Sequence, residues 1–145
     1  MEIRRSHGAT ESIRCDTRSF LLHDLLHYAV EAEAGLDTGF WGLLWSGKTL
    51  SNMADRSGAA LADAHPGLME VERVVGCLTS AAKGTSAQAL LDQLAHNDGT
   101  PEFSLPPWVD LAFVMAVQAR MRALMGRWNA TPFGDTMQLR WPSSA

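Results

Sequence analysis

The chain is short of several things. Only two of its 145 residues are cysteine, Cys15 and Cys77. That is too few for a disulfide framework, and both read as buried or idle thiols in a reducing compartment. Basic runs are missing too. None exceeds Arg4-Arg5, and the formal net charge is −4 with His neutral, so no nucleic-acid partner is expected. The longest apolar run lies within Trp108–Val117 and is broken by Asp110. It is too short and too polar to cross a bilayer, and no membrane association is expected. The N-terminus is charged and has no apolar h-region, so no signal peptide is expected. The default expectation is a cytoplasmic protein. Charged residues make up 19% and hydrophobic ones 46%. That balance excludes a disordered chain and fits a single domain over 1–145 with a real core.

The two ends of the chain alternate as strands do. Glu2-Ile3-Arg4-Arg5 and Ser12-Ile13-Arg14-Cys15 flank a Gly-containing turn at His7-Gly8-Ala9-Thr10, the pattern of a β-hairpin. A hairpin alone is marginal in water and needs a third strand or a helix beneath it. Thr136–Trp141 alternates cleanly, and Pro142 ends it. The expectation is an α+β fold, mostly helical, with a small antiparallel sheet formed by the N-terminal hairpin and the C-terminal strand. Between the ends the pattern is helical. Phe20–Ala34 follows N-cap candidates at Asp16 to Ser19 and stops at Gly35. Phe40–Met53 reads as a second helix with two Gly breaks, and Ala54 to Pro66 as a mobile loop. Further helices are expected from Pro66-Gly67 to about Lys83, over Ser86–His96, and from Pro106-Pro107 to roughly Gly126.

One constellation stands out, in Leu21–Glu31. At about 100° per residue, His23, Asp24, His27 and Glu31 fall in one wedge of roughly 100°. Leu21, Leu22, Leu25, Leu26, Tyr28, Ala29, Val30 and Ala32 fill the rest, with Glu33 an exception in the last turn. A solvated helix face normally carries Lys, Glu, Gln and Arg over a wide arc. This wedge is narrow and holds only metal-ligand and proton-transfer residue types. A helix buried nearly all round carries such groups only if they are paired, metal-bound or lining a cavity.

His at i and i+4 is the helical spacing that brings two imidazoles to one ion, as in H-E-x-x-H. Here the segment is His23-Asp24-Leu25-Leu26-His27, with Asp24 where that motif has its general-base Glu. The expected metal ligands are His23, His27 and Glu31, with zinc or another divalent metal as cofactor. Asp24 and Glu31 are the expected proton-handling residues. Glu31 stands at the limit of reach, since i to i+8 is a rise of about 12 Å. A ligand from elsewhere is therefore also open, from among Asp24, His7, His65, His96 and Asp110. In that arrangement Glu31 instead holds His27 in its tautomer. Against all this stands a hydrogen-bonded polar cluster that specifies the core and catalyses nothing.

The stretch Leu22–Glu31, followed by Gly35-Leu36 and Gly39-Phe40-Trp41-Gly42, resembles a block found in small bacterial proteins of unassigned function: L-P-H-D-L-x-H-F/W-x-V-E, then G-L-x-x-G-F-W-G. Arg127–Pro142 resembles their closing block R-W-x-A-L-P-x-G-G-T-L-x-L-x-W. Leu22 stands where that pattern has Pro, and Asp135 where it has Gly. The middle of the chain, from about Asn52 to Glu102, carries no such match. The resemblance implies that the polar wedge is a recurring motif, and it implies no activity.

The remaining residues read more plainly. Asp110 opens a helix at its positive dipole end. Trp41, Trp45, Phe40 and Phe113 line a pocket or pack a core. Lys48-Thr49 after Gly47 lacks a phosphate-loop frame, and Ser46 and Ser51 lack a nucleophile elbow. Cys15 lies close enough in sequence for a Cys–His pair with His23 or His27. Three functional classes remain open. The first is a small metal-dependent enzyme for hydrolysis or addition/elimination on a small molecule or peptide. The second is a metal-free acid–base cyclase or isomerase using the same residues. The third is a non-enzymatic binding protein in which the wedge is structural. The Trp and Met content also permits a homodimer.

Overall fold

The computed structural model describes residues 1–5, 8–12, 14, 20–53, 66–79, 84–96 and 105–142. Readings that fall on His7, Ile13, Cys15, Asp16–Ser19, the 54–65 loop with His65, the 80–83 helix end, Asn97-Asp98-Gly99 and Ser104 lie outside these residues. Within them the protein is mostly helical, with one small antiparallel sheet.

Helix α1 (Leu21–Ala34) is the hub of the fold. Its apolar arc is wide enough to touch several neighbours at once, so Leu25, Leu26, Ala29 and Val30 are all buried. It ends as its sequence directs. Gly35 takes a left-handed conformation at φ 65°, and the Gly35 and Leu36 N–H groups both close on the Glu31 carbonyl. Helix α2 (Phe40–Trp45) and the short α3 (Leu50–Met53) follow. The sequence pattern had suggested one helix across both. Gly47, at φ 106°, turns the chain out of the helical region and separates them.

Helix α4 (Pro66–Leu78) lays Val71, Val74, Val75 and Leu78 against α1. Helix α5 (Ala87–His96) starts at Ser86, whose Oγ accepts from the Ala89 N–H. It contributes Leu90 and Leu94 to the same core. Helix α6 (Leu111–Ala130) is the longest and packs on α1 and α5. It begins later than the two prolines suggested, because Asp110 stays extended and caps it through the Phe113 N–H at 2.7 Å. It also runs past Gly126. Thr131 precedes Pro132, which disfavours helical backbone at Thr131, and there the helix stops.

Strands β1 (Glu2–Arg4) and β2 (Thr10–Ser12) form the expected antiparallel hairpin, with Ile3 opposite Glu11. The expected C-terminal strand is a correction. Residues 132–135 form a turn closed by the Asp135 N–H on the Pro132 carbonyl, residues 135–142 carry no strand, and the only sheet among the described residues has two strands, β1 and β2. The alternation at Met137, Leu139 and Trp141 is real, and its apolar side packs on the helical core rather than beside the hairpin. Tyr28 Oη donates to the Arg140 carbonyl at 2.6 Å, and Arg127 Nη2 donates to the Gln138 carbonyl at 2.6 Å. The segment is thus a strap over α1 and α6. The hairpin rests elsewhere. Ile3 packs on a second cluster of Leu43, Leu44, Met53 and Leu68. The Arg5 guanidinium donates to the Leu44 and Lys48 carbonyls, and Glu11 Oε2 accepts from the Leu50 N–H at 2.6 Å. No helix among the described residues is long and apolar enough to cross a membrane.

Candidate metal centre

Helical spacing sets His23, His27 and Glu31 along one face of α1, one turn apart. The structure extends that line sideways, because α4 brings Glu72 against the two imidazoles. His27 Nε2 lies 3.3 Å from Glu72 Oε2, and His23 Nε2 lies 3.9 Å from the same oxygen. The two imidazole rings sit 4.6 Å apart, centre to centre. One ligand atom from each of His23, His27 and Glu72 lies within 4.8 Å of the others.

The site grades from dry to wet. His27 is 2% exposed and Glu31 is fully buried. The side chains of His23 and Glu72 are 48% and 41% exposed. Solvent therefore reaches the outer two donors but not the inner one. His27 Nε2 is buried and makes no hydrogen bond, and it is the only such side-chain nitrogen or oxygen among the described residues. Its neighbour Glu72 Oε2 is near enough for an ion pair but lies outside hydrogen-bond geometry. A buried imidazole nitrogen left this way is costly unless something else binds it.

The inner end is tightly built. Glu31 Oε1 is 3.1 Å from His27 Nδ1, within hydrogen-bond distance. Glu31 Oε2 accepts from the Trp41 N–H at 2.8 Å and the Gly42 N–H at 3.0 Å. These two donors belong to the first turn of α2, which has no side-chain cap of its own. Glu31 supplies that cap from α1, where a carboxylate is favoured by the N–H groups and the helix dipole. Burial pulls the His27 pKa down, but the hydrogen bond to the Glu31 carboxylate and then the nearby Glu72 carboxylate outweigh it and leave the ring at about 9. Two carboxylates thus hold a positive charge at this ring, and a divalent cation can take the place of the proton at Nε2.

The residues expected from sequence divide accordingly. His23 and His27 come together as metal-ligand candidates. Glu31 touches His27, but both its oxygens are engaged with His27 Nδ1 and the α2 backbone. It occupies the supporting position that the sequence left as its other role, and the third converging donor is Glu72. Asp24 Oδ1 is 3.9 Å from His23 Nδ1, beside the group rather than in it. Its main-chain carbonyl accepts from Trp41 Nε1 at 3.1 Å. His96 is exposed on α5 with Nδ1 on the Asp92 carbonyl, and Asp110 caps α6. His7, His65 and Cys15 lie outside the described residues.

Glu72 escaped sequence reasoning. The signal that would have found it is positional. It stands four residues after buried Leu68 and three before buried Val75, so it borders the apolar stripe of α4 rather than facing away from it. Comparisons with protein-family models, curated proteins and solved structures give no match for this chain.

Proposed function

We propose that this chain is a small metal-dependent enzyme holding one divalent ion, with zinc favoured, on His23, His27 and Glu72. The observation that carries the reading is the buried, unsatisfied Nε2 of His27, with an imidazole and a carboxylate within coordination reach of it. Zinc takes imidazole and carboxylate donors at about 2.0–2.2 Å, which puts neighbouring donors about 3.4 Å apart in a tetrahedron. His27 Nε2 and Glu72 Oε2 stand at 3.3 Å already. His23 needs only a side-chain adjustment, and its half-exposed ring is free to make one.

Three protein ligands leave a fourth position open, the arrangement of catalytic rather than structural zinc. An ion there supplies Lewis acidity and lowers the pKa of bound water to near neutral. The reaction class is hydrolysis or addition/elimination on a small molecule or peptide that approaches from the His23–Glu72 side. Asp24, beside His23, is the residue for proton handling at that mouth. Glu31 is excluded from proton transfer to substrate by its burial and by its three hydrogen bonds.

A second reading is favoured by one observation, the Glu31–His27 hydrogen bond itself. A carboxylate-oriented histidine does acid–base chemistry without metal, and a ring held near 9 is an acid at neutral pH. Elemental analysis of tag-free protein separates the two. One ion per chain is expected in the wild type and none in His27→Ala, and ester and peptide hydrolysis should vanish on chelation and return with zinc. A wild type that holds no metal even after zinc is supplied overturns the metal reading. Chelator-insensitive activity lost in His27→Ala establishes the second.

A further inference from the structure

The inner end of the site holds more structure than a metal ligand requires. Glu31 is fully buried, and each of its oxygens has a fixed task. The turn it enters is shaped around it. A Cβ placed on Gly39 would stand 2.3 Å from Glu31 Cδ, 2.5 Å from Oε2 and 2.7 Å from Cγ. A Cβ on Gly42 would stand 2.5 Å from the Asp37 backbone, so the second donor of the turn is also packed too closely for a side chain.

We propose that Glu31, seated in the Gly39–Gly42 turn, is a positioning residue that keeps the proton of neutral His27 on Nδ1 and presents Nε2 as a lone pair to the metal. For its consequence at the metal this rests on the reading above, whereas the seat itself is independent of it. Two N–H donors on Oε2 stop the carboxylate from rotating away. Oε1 is then left facing Nδ1 as an acceptor only, and a neutral imidazole that donates at Nδ1 is bare at Nε2. Gly39 is part of the device, because any side chain there displaces the carboxylate from its seat.

Glu31→Gln tests this with almost no change of shape. The amide oxygen must face the Trp41 and Gly42 N–H groups, since an NH₂ there would oppose two donors. The NH₂ then points at His27 Nδ1, which must accept, and the ring proton moves to Nε2. Outer partners of this kind are worth about 10–100-fold in metal affinity, and an inverted tautomer places the loss at the upper end, about 100-fold. Zinc affinity should fall by that factor in Glu31→Gln and also fall in Gly39→Ala, where every donor type is unchanged.

A readout that general destabilisation would not produce comes from ¹⁵N-histidine NMR of the metal-free full chain, at alkaline pH where the ring is neutral. Wild-type His27 should carry its proton on Nδ1 and Glu31→Gln on Nε2. A wild-type ring protonated on Nε2 overturns the proposal without any variant. Equal zinc affinity in folded wild type and folded Glu31→Gln also overturns it. If the wild type binds no zinc, the metal reading falls, and the NMR result still decides the positioning role alone.

Discussion

Glu72→Ala separates a metal site shared between two helices from a cluster that merely lies close. The two imidazoles come from α1 and the carboxylate from α4. Removing Glu72 leaves two donors on a single helix. Loss of an outer partner costs 10–100-fold in affinity, and loss of a ligand should cost at least the upper figure. With zinc at a hundred times the wild-type Kd, binding stabilises the folded state by about 2.7 kcal/mol. For a domain of this size each kcal/mol moves Tm by about 2–4 °C, so the wild type should rise by about 5–11 °C. At the same zinc concentration a hundredfold weaker variant is only half saturated. It gains about 0.4 kcal/mol, a rise of about 1–2 °C.

The metal-free variant should melt below the wild type at neutral pH, because Glu72 faces the 3% exposed His27 side chain and helps hold its charge, so the readout is the zinc increment and not the absolute Tm. The assay is a thermal melt of chelated protein with and without zinc. Glu70→Ala is the control from the same helix. Glu70 Oε1 accepts from Trp108 Nε1 at 3.0 Å, so its loss should lower both melts and leave the zinc increment intact. A full zinc increment in Glu72→Ala would refute the assignment of the third donor.

Three further outcomes follow from the same contacts. In metal-free protein, folding raises the His27 pKa from 6.5 to about 9. The ring's charge therefore stabilises the fold fully below about 6.5, and that contribution is lost as pH rises through about 9; Tm of the metal-free wild type should fall across this window, and His27→Ala should lack the fall. Glu11 behaves with the opposite sign. The hydrogen bond from Arg5, and next that from the Leu50 N–H, hold its carboxyl below the usual 4.5, so its contribution is present above 4.5 and lost as pH falls through the lowered value. Amide exchange in β1 and β2 should accelerate there before the helices open, and Glu11→Gln should show that faster exchange at neutral pH. Tyr28→Phe removes the hydrogen bond to the Arg140 carbonyl, about 1 kcal/mol, and exchange should rise over 137–141 with α1 unchanged.

The helices were legible because their signals are local. The Leu-rich arc of α1 and its Gly35 stop are both contained in one short stretch, and the fold keeps them. The C-terminal strand failed for an instructive reason. Alternation at Met137, Leu139 and Trp141 reports that one side of an extended segment is buried. It carries no information about what buries it, and here the answer is a helical surface with Tyr28 and Arg127 as its clasps. The hairpin's own support was equally hidden. Arg5 and Glu11 tie the hairpin to the backbone of residues 44–50, partners that lie about forty residues away and leave no mark in a local strand pattern.

The site divides along the same line. His23 and His27 announce themselves because a polar wedge in an apolar helix has few inexpensive explanations. Glu72 does not, because Glu70, Glu72 and Arg73 together look like an ordinary wet face, and only the packing of α4 on α1 turns Glu72 toward the imidazoles. Glu31 shows the remaining difficulty. Its residue type and helical phase fit a metal ligand as well as they fit a buried cap. What decides between them is the turn at Gly39–Gly42, whose two backbone donors and missing Cβ are invisible to helical periodicity. The same carboxylate ends one helix, begins the next and aims the ring between them. Any change that frees it from α2 should therefore be felt at His27 Nε2, because Glu31 Oε1 faces Nδ1 of the same ring.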